Sequence, residues 1–201
     1  DRGPWSAAIE PNADASFVAG QRAVVRLGDL TLNGTVTAGG SAPSGTSAFV
    51  VGGAGGWRKT VKRRRYRDDK GVRLADVLRD LATETGEDVR LDASLTSKVV
   101  GAAWTRPEGT GADAMAALEV PWRVVPDGTT TVGPLPAVES GALVSLRRWH
   151  PALRGADLEL PDDEIAGVVP GSVLTLGDVT LAVRSARVVV VRGRVRVEVL
   201  T

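Results

Sequence analysis

The chain has 201 residues, 43% of them hydrophobic, and a formal net charge of +1. That describes a folded protein with a substantial core and no overall pull toward nucleic acid or an acidic membrane surface. It has no cysteine and one histidine, His150, which excludes disulfides, thiolate metal sites and a cysteine nucleophile and leaves no imidazole set for zinc.

Nothing approaches the ~20 consecutive apolar residues that cross a bilayer, and the start lacks a basic-then-apolar signal pattern; because the chain opens at Asp1, secretion stays open. Residues 17–37 read as β: Ala23, Val25 and Leu27 alternate, Leu30 and Leu32 follow, and Asn33-Gly34 between β-prone triplets predicts a type I′ hairpin. The small residues from Gly39 to Gly45 predict a flexible loop. Ala48 to Val51 then forms a short strand entering Gly52-Gly53-Ala54-Gly55-Gly56-Trp57.

From Gly71 the period changes. Leu74, Val77, Leu78, Leu81 and Ala82 recur at three and four residues, which predicts a helix from Leu74 to Thr85 that Gly86 ends. Val89 to Leu91 and Val99 to Thr105 read as strands. Thr110-Gly111-Ala112-Asp113 is a cap-like start to a second helix with Met115 and Leu118, stopped by Pro121. Trp122 to Val125, the turn Pro126-Asp127-Gly128, and Thr129 to Val132 predict a hairpin. Pro134 and Pro136 mark a boundary, since neither donates to a ladder. Strand candidates beyond it are Ala142–Leu146, Leu158–Leu160, Ser172–Leu176, Val179–Ala186 and Val188–Val191. A closing hairpin turns at Arg192-Gly193, where Val195, Val197 and Val199 alternate with Arg194, Arg196 and Glu198. The expected fold class is mainly β with a small α/β insert. Two β-barrel-like units, at residues 1–70 and 137–201, flank a helix-strand-strand-helix-hairpin module at 71–136.

One hexapeptide returns. Leu27-Gly28-Asp29-Leu30-Thr31-Leu32 is matched at five of six positions by Leu176-Gly177-Asp178-Val179-Thr180-Leu181. Two similar β units per chain account for it, and so does hairpin chemistry recurring between β-branched runs. Two like units would let three chains close a ring that looks six-fold.

Few motifs carry chemistry. Gly53-Ala54-Gly55-Gly56-Trp57-Arg58-Lys59-Thr60 resembles a phosphate loop, but Arg58 stands where that motif needs glycine and no helix follows. The glycines are better read as allowing close approach, so that Trp57 tucks into a packed corner. Arg58, Lys59, Lys62, Arg63, Arg64, Arg65 and Arg67 form a basic cluster around Tyr66, cut off by Asp68 and Asp69. On a strand only half of it faces one side, which favours a solvated or subunit-contacting edge over nucleic-acid binding. The carboxylates Glu87/Asp88 and Asp162/Asp163/Glu164 lack a surrounding ligand pattern, so the latter read as a solvated turn rather than a calcium loop or a hydrolase pair. The tryptophans Trp5, Trp57, Trp104, Trp122 and Trp149 are dispersed, as core and interface anchors are. No catalytic, cofactor-binding or metal-binding residue is assigned, no cofactor is implied, and the chain does not read as an enzyme.

The segments Val51–Trp57, Gly71–Leu78 with Leu81-Ala82 and Gly86-Glu87, Trp104-Thr105-Arg106-Pro107, and Trp122–Thr129 together resemble tail and baseplate proteins of tailed bacteriophages, in a hub-like form, over residues 17–136. The resemblance implies a virion structural protein of the tail or baseplate, present in the host cytoplasm during assembly. It further implies a homotrimer whose paired β-barrel units form a ring joining a six-fold tail tube to a three-fold spike. Partners are then further copies of itself, the tube, the spike and other tail or baseplate proteins, with no membrane anchor and no specific nucleic acid. The chain is shorter than larger hub proteins and carries no lysozyme or peptidase signature, so no wall-cutting role follows. Leu74–Leu91 with Val99, Ala112–Leu118 and the hairpin also resembles the small periplasmic modules that precede secretin channels, which would leave the flanking β units unexplained.

Overall fold

A computed structural model describes residues 2–10, 16–42, 45–134, 137–191 and 194–200. The fold is mainly β, with several sheets, none of which closes into a barrel among the described residues. The chain divides into two compact units, one of Arg2–Val25 and Leu32–Pro134, the other of Arg26–Thr31 and Leu135–Thr201.

Five strands open the chain: β1 (Arg2–Gly3), β2 (Ser6–Ile9), β3 (Arg22–Leu27), β4 (Leu30–Ala42) and β5 (Gly45–Gly52). A 3-10 turn at Gly56–Arg58 leads to β6 (Thr60–Val61), β7 (Arg64–Arg73), α1 (Leu74–Thr85), β8 (Val89–Leu91), β9 (Val99–Arg106), β10 (Gly109–Thr110), α2 (Gly111–Ala116), β11 (Trp122–Val124) and β12 (Thr130–Val132). Sheet order is β2-β5-β4-β3 in one sheet and β1-β11-β12-β8 in another, while β7 pairs with β9 as a two-stranded ribbon. The helix-strand-strand-helix-hairpin order predicted for the middle of the chain is the order observed.

The apolar stripe explains α1. Leu74, Val77, Leu78 and Leu81 are buried, and they join Trp57, Val61, Met115, Leu118, Trp122 and Val132 in one core. Each such side chain contributes on the order of 1.5–3 kcal/mol from burial before ordering costs. Gly86 ends the helix at φ 77, its amide donating to the Ala82 carbonyl at 2.8 Å. At α2 the capping box is complete: the Asp113 amide donates to Thr110 Oγ1 at 3.1 Å and the Thr110 amide to Asp113 Oδ2 at 2.8 Å. This helix stops at Ala116 rather than running on to Pro121, and Glu119 turns the chain at φ 54.

The predicted Asn33-Gly34 hairpin is absent. β4 runs straight through both residues, Gly34 pairing with Gly52. The glycine is there for space, since a Cβ would lie 2.3 Å from the Val51 carbonyl oxygen and 2.7 Å from the Trp5 ring. Asn33 instead receives the later turn: its amide donates to the Pro126 carbonyl at 2.7 Å and its Nδ2 to that of Asp127 at 3.3 Å. The predicted loop is likewise strand over Gly39–Ala42, paired with Gly45–Ala48. The close approach of Phe17 to Gly39 uses the missing side chain, a Cβ there lying 2.7 Å from the Phe17 Cβ. The loop's Pro43 and Ser44 lie outside the described residues, as do Pro136 and the Arg192-Gly193 turn.

In the second unit, β13 (Val138–Glu139), β16 (Ser172–Leu176) and β17 (Val179–Ala182) form a three-stranded sheet. A four-stranded antiparallel sheet has the order β14 (Ser145–His150), β15 (Gly155–Glu159), β19 (Arg194–Leu200), β18 (Ser185–Val191). On β19 the alternation holds, with Val195, Val197 and Val199 buried between exposed Arg196 and Glu198. The strand expected at Ala142–Leu146 lies later, at Ser145–His150. The run expected from Val179 through Ala186 is two strands, because the chain changes sheets there: the Val183 amide donates to the Ser172 carbonyl and the next amide, Arg184, to that of Leu200, each at 2.8 Å.

The repeated hexapeptide makes the same turn twice. Leu27-Gly28-Asp29-Leu30 links β3 to β4 and Leu176-Gly177-Asp178-Val179 links β16 to β17. The glycines have φ 54 and φ 59, and neither aspartate has positive φ, as a type II′ turn requires. Their settings differ. A Cβ on Gly28 would lie 1.4 Å from the Asp162 carbonyl oxygen, whereas one on Gly177 meets nothing within 4 Å.

Candidate functional site

The glycine corner after β5 is a filled anion cradle. Gly53 and Gly55 take φ 78 and φ 77, which curls the chain so that successive amides point inward. Into that curl comes the carboxylate of Glu87, one residue past the cap of α1. Its Oε2 accepts from the Ala54 amide at 2.9 Å and its Oε1 from the Gly56 amide at 2.5 Å. The sequence predicts close-approach glycines here and a separate acidic pair at Glu87/Asp88; the structure joins Glu87 to the glycines, and the Ala54 and Gly56 amides a phosphate would need are already bound. Trp57 is buried in the corner as expected, its ring centroid 5.1 Å from that of Trp122 and its Nε1 donating to Thr130 Oγ1 at 2.9 Å. Lys59 Nζ donates to the Thr85 carbonyl at 2.9 Å, neutralising the negative end of α1.

The basic run divides by strand face. Arg64 and Tyr66 lie on one side of β7: Arg64 binds Asp80 at 3.0 Å with its guanidinium 5.3 Å from the Tyr66 ring centroid, and Tyr66 packs on Trp104 at 5.8 Å. Arg65 and Arg67 lie on the other side, opposite Thr105 and Ala103. Beneath the ribbon is a residue that sequence reading missed in this role, Arg106. It is buried, its Nε and Nη2 donate to the Lys62 carbonyl at 3.1 and 2.9 Å, and its Nη2 also binds the Glu84 carboxylate. Burial alone would raise the Glu84 carboxyl, but the Lys62 amide, Arg106 and Arg64 outweigh it and hold it below the ordinary value. Burial pushes the Tyr66 phenol up, Arg106 opposing and Asp80 adding to it.

The remaining sequence candidates stay apart. Asp88 accepts from Thr129 Oγ1 at 3.4 Å and lies 3.9 Å from Arg90. Asp162, Asp163 and Glu164 open a 3-10 segment at Asp162–Gly167. His150 ends β14 with Nε2 3.2 Å from Asp157 Oδ2. Among the described residues no group of three His, Cys, Asp or Glu side chains is placed to hold a metal ion, and no helix is long and apolar enough to cross a membrane. What the arrangement offers is contact geometry and a basic face whose Arg65 and Arg67 have no partner among the described residues.

Compared with protein-family profiles and with curated protein sequences, the chain matches none. Among solved structures its fold is similar to that of the prophage MuSo2 43 kDa tail protein from Shewanella oneidensis. The TM-score is 0.63 at 10% sequence identity, over 97% of this chain and 88% of that one. At that identity the likeness is one of fold.

Proposed function

We propose that this chain is a structural component of a bacteriophage tail. Its hub-like role is to form a homotrimeric ring between the tail tube and the central spike or tip, in contact with neighbouring tail or baseplate proteins. The observation that carries the reading is the fold shared with a prophage tail protein along nearly the whole chain. A likeness spanning both compact units ties the reading to the full architecture rather than to one common motif. The protein then works by geometry: its sheets present fixed edges and faces to neighbours, and no reaction is catalysed. Localisation follows as the virion tail, with assembly in the host cytoplasm. The repeated turn supports ring geometry less than the sequence alone suggested, because its two copies sit in sheets of different size.

The test is deletion of the gene from a phage or prophage that carries it, with complementation by a tagged copy and imaging of the particles. The expected result is loss of complete tails on deletion and, on complementation, tag density in a three-fold ring at the tail tip. Complete, infectious tails without the protein overturn the reading.

A further inference from the structure

The basic run leaves three guanidinium groups without a partner among the described residues. Arg64 is taken by Asp80, Arg58 donates to Thr37 and lies over the Phe49 ring, and Lys59 caps α1. Arg63, Arg65 and Arg67 are exposed, and among the described residues none has an ion-pair or hydrogen-bond partner. Arg65 and Arg67, two apart on β7, lie about 7 Å apart on one face, and Arg63 stands just before the strand. The cross-strand neighbours of Arg65 and Arg67 are the small, uncharged Thr105 and Ala103, and the nearest carboxylates on the strand are those of Asp68 and Asp69.

A surface of opposite charge exists in the second unit. Asp162 and Asp163 are exposed at the start of the 3-10 segment, and their carboxylates have no partner among the described residues. Leu160 and Pro161, immediately before them, line an open hollow of about 500 Å³ together with Glu159 and with Leu143, which is 73% exposed. A mostly apolar hollow followed in the chain by two free carboxylates suits an occupant that is basic and small in its side chains.

We propose that the two surfaces meet between copies of this chain, the exposed Arg63, Arg65 and Arg67 of one copy on the Asp162-Asp163 pair of the next. The inference rests on the ring-forming reading above and assigns that ring a contact. A contact between two different patches is head-to-tail, the type that closes a ring when the rotation fits. Nucleic acid is the poorer occupant. This face has no aromatic ring to stack a base, because Tyr66 and Trp104 pack on the other side. Three phosphate contacts give a salt slope of only about −3, and Asp68 and Asp69 would repel a continuing phosphate chain.

The test is sedimentation velocity on the full chain at about 50 and about 500 mM salt, which straddle strong and weak screening. The wild type is expected to self-associate, with affinity falling at least about tenfold at the higher salt. R63E/R65E/R67E and D162K/D163K should each lose self-association. An equimolar mixture should regain association between unlike variants, since each then meets its opposite charge, but not a closed ring of three, which cannot alternate two species. The neutral R63Q/R65Q/R67Q, with circular dichroism on every variant, separates a lost contact from a lost fold. A monomeric wild type at low salt overturns the proposal, and so does retention on DNA that the arginine variants abolish without any self-association. Self-association indifferent to both charge reversals overturns it too, while leaving the tail reading intact with its contact elsewhere. Absence of the protein from tail particles strikes that reading and not the charged contact.

Discussion

Glu87 and Gly56 are joined by a 2.5 Å hydrogen bond from a buried backbone amide to a buried carboxylate, and the same carboxylate takes the Ala54 amide at 2.9 Å. A single side chain thus satisfies two donors of the glycine corner and ties it to the end of α1. The corner's conformation and the helix's exit depend on each other.

Replacing Glu87 should therefore cost more than an ordinary surface carboxylate. Glu87→Ala leaves two inward-facing amides without an acceptor, for an expected loss of about 2–4 kcal/mol. Glu87→Gln keeps one acceptor and is expected to cost about half as much. Urea unfolding followed by tryptophan fluorescence measures both, since Trp57 stands in the same corner. A loss within about 0.5 kcal/mol for the alanine variant contradicts the assigned role.

Arg106→Met removes the guanidinium beneath the ribbon and leaves the Lys62 carbonyl and the Glu84 carboxylate without it. The expected cost is about 2–4 kcal/mol, somewhat under the roughly 3–5 kcal/mol for breaking a fully buried pair, because Glu84 is partly exposed. The pH dependence has a definite sign. Glu84's carboxyl lies below its ordinary value when folded, so its contribution is fully present above the unfolded value and is lost as pH falls through the folded one. Because the Glu84 side chain is 34% exposed, screening limits that contribution to about 1 kcal/mol or less. Wild-type stability should fall between about pH 5 and pH 3 more steeply than that of the variant, in paired denaturation series.

Gly28→Ala and Gly177→Ala test whether the repeated turns share more than backbone shape. Both positions have positive φ, which costs an alanine about 1–2 kcal/mol. Only Gly28 faces a carbonyl at overlapping distance, adding about 1–3 kcal/mol. The expected order is a larger loss of thermal stability for the Gly28 variant. Equal losses would mean that the Asp162 carbonyl is not against this turn.

Thr110→Ala breaks the capping box of α2. The expected cost is about 1 kcal/mol, with Thr110→Ser close to wild type because its hydroxyl restores the acceptor for the Asp113 amide. Thermal midpoints of the three proteins check this order.

Local patterns were enough to determine every element whose own residues specify it. The i, i+3, i+4 stripe placed α1 from Leu74 to Thr85, the Thr110 and Asp113 pair marked the start of α2, and strict alternation marked β19, because periodicity is a property of neighbours along the chain. Tertiary structure decided the rest. Asn33-Gly34 carries strong turn chemistry, yet the ladder with β5 and the approach of Trp5 hold it extended, since a paired strand outweighs a local preference. The partnerships of Glu87 with the glycine corner and of Arg106 with Glu84 span 31 and 22 residues. No spacing rule reaches that far: which charge is buried, and which stays free as on Arg63, Arg65 and Arg67, depends on what the folded chain brings alongside it.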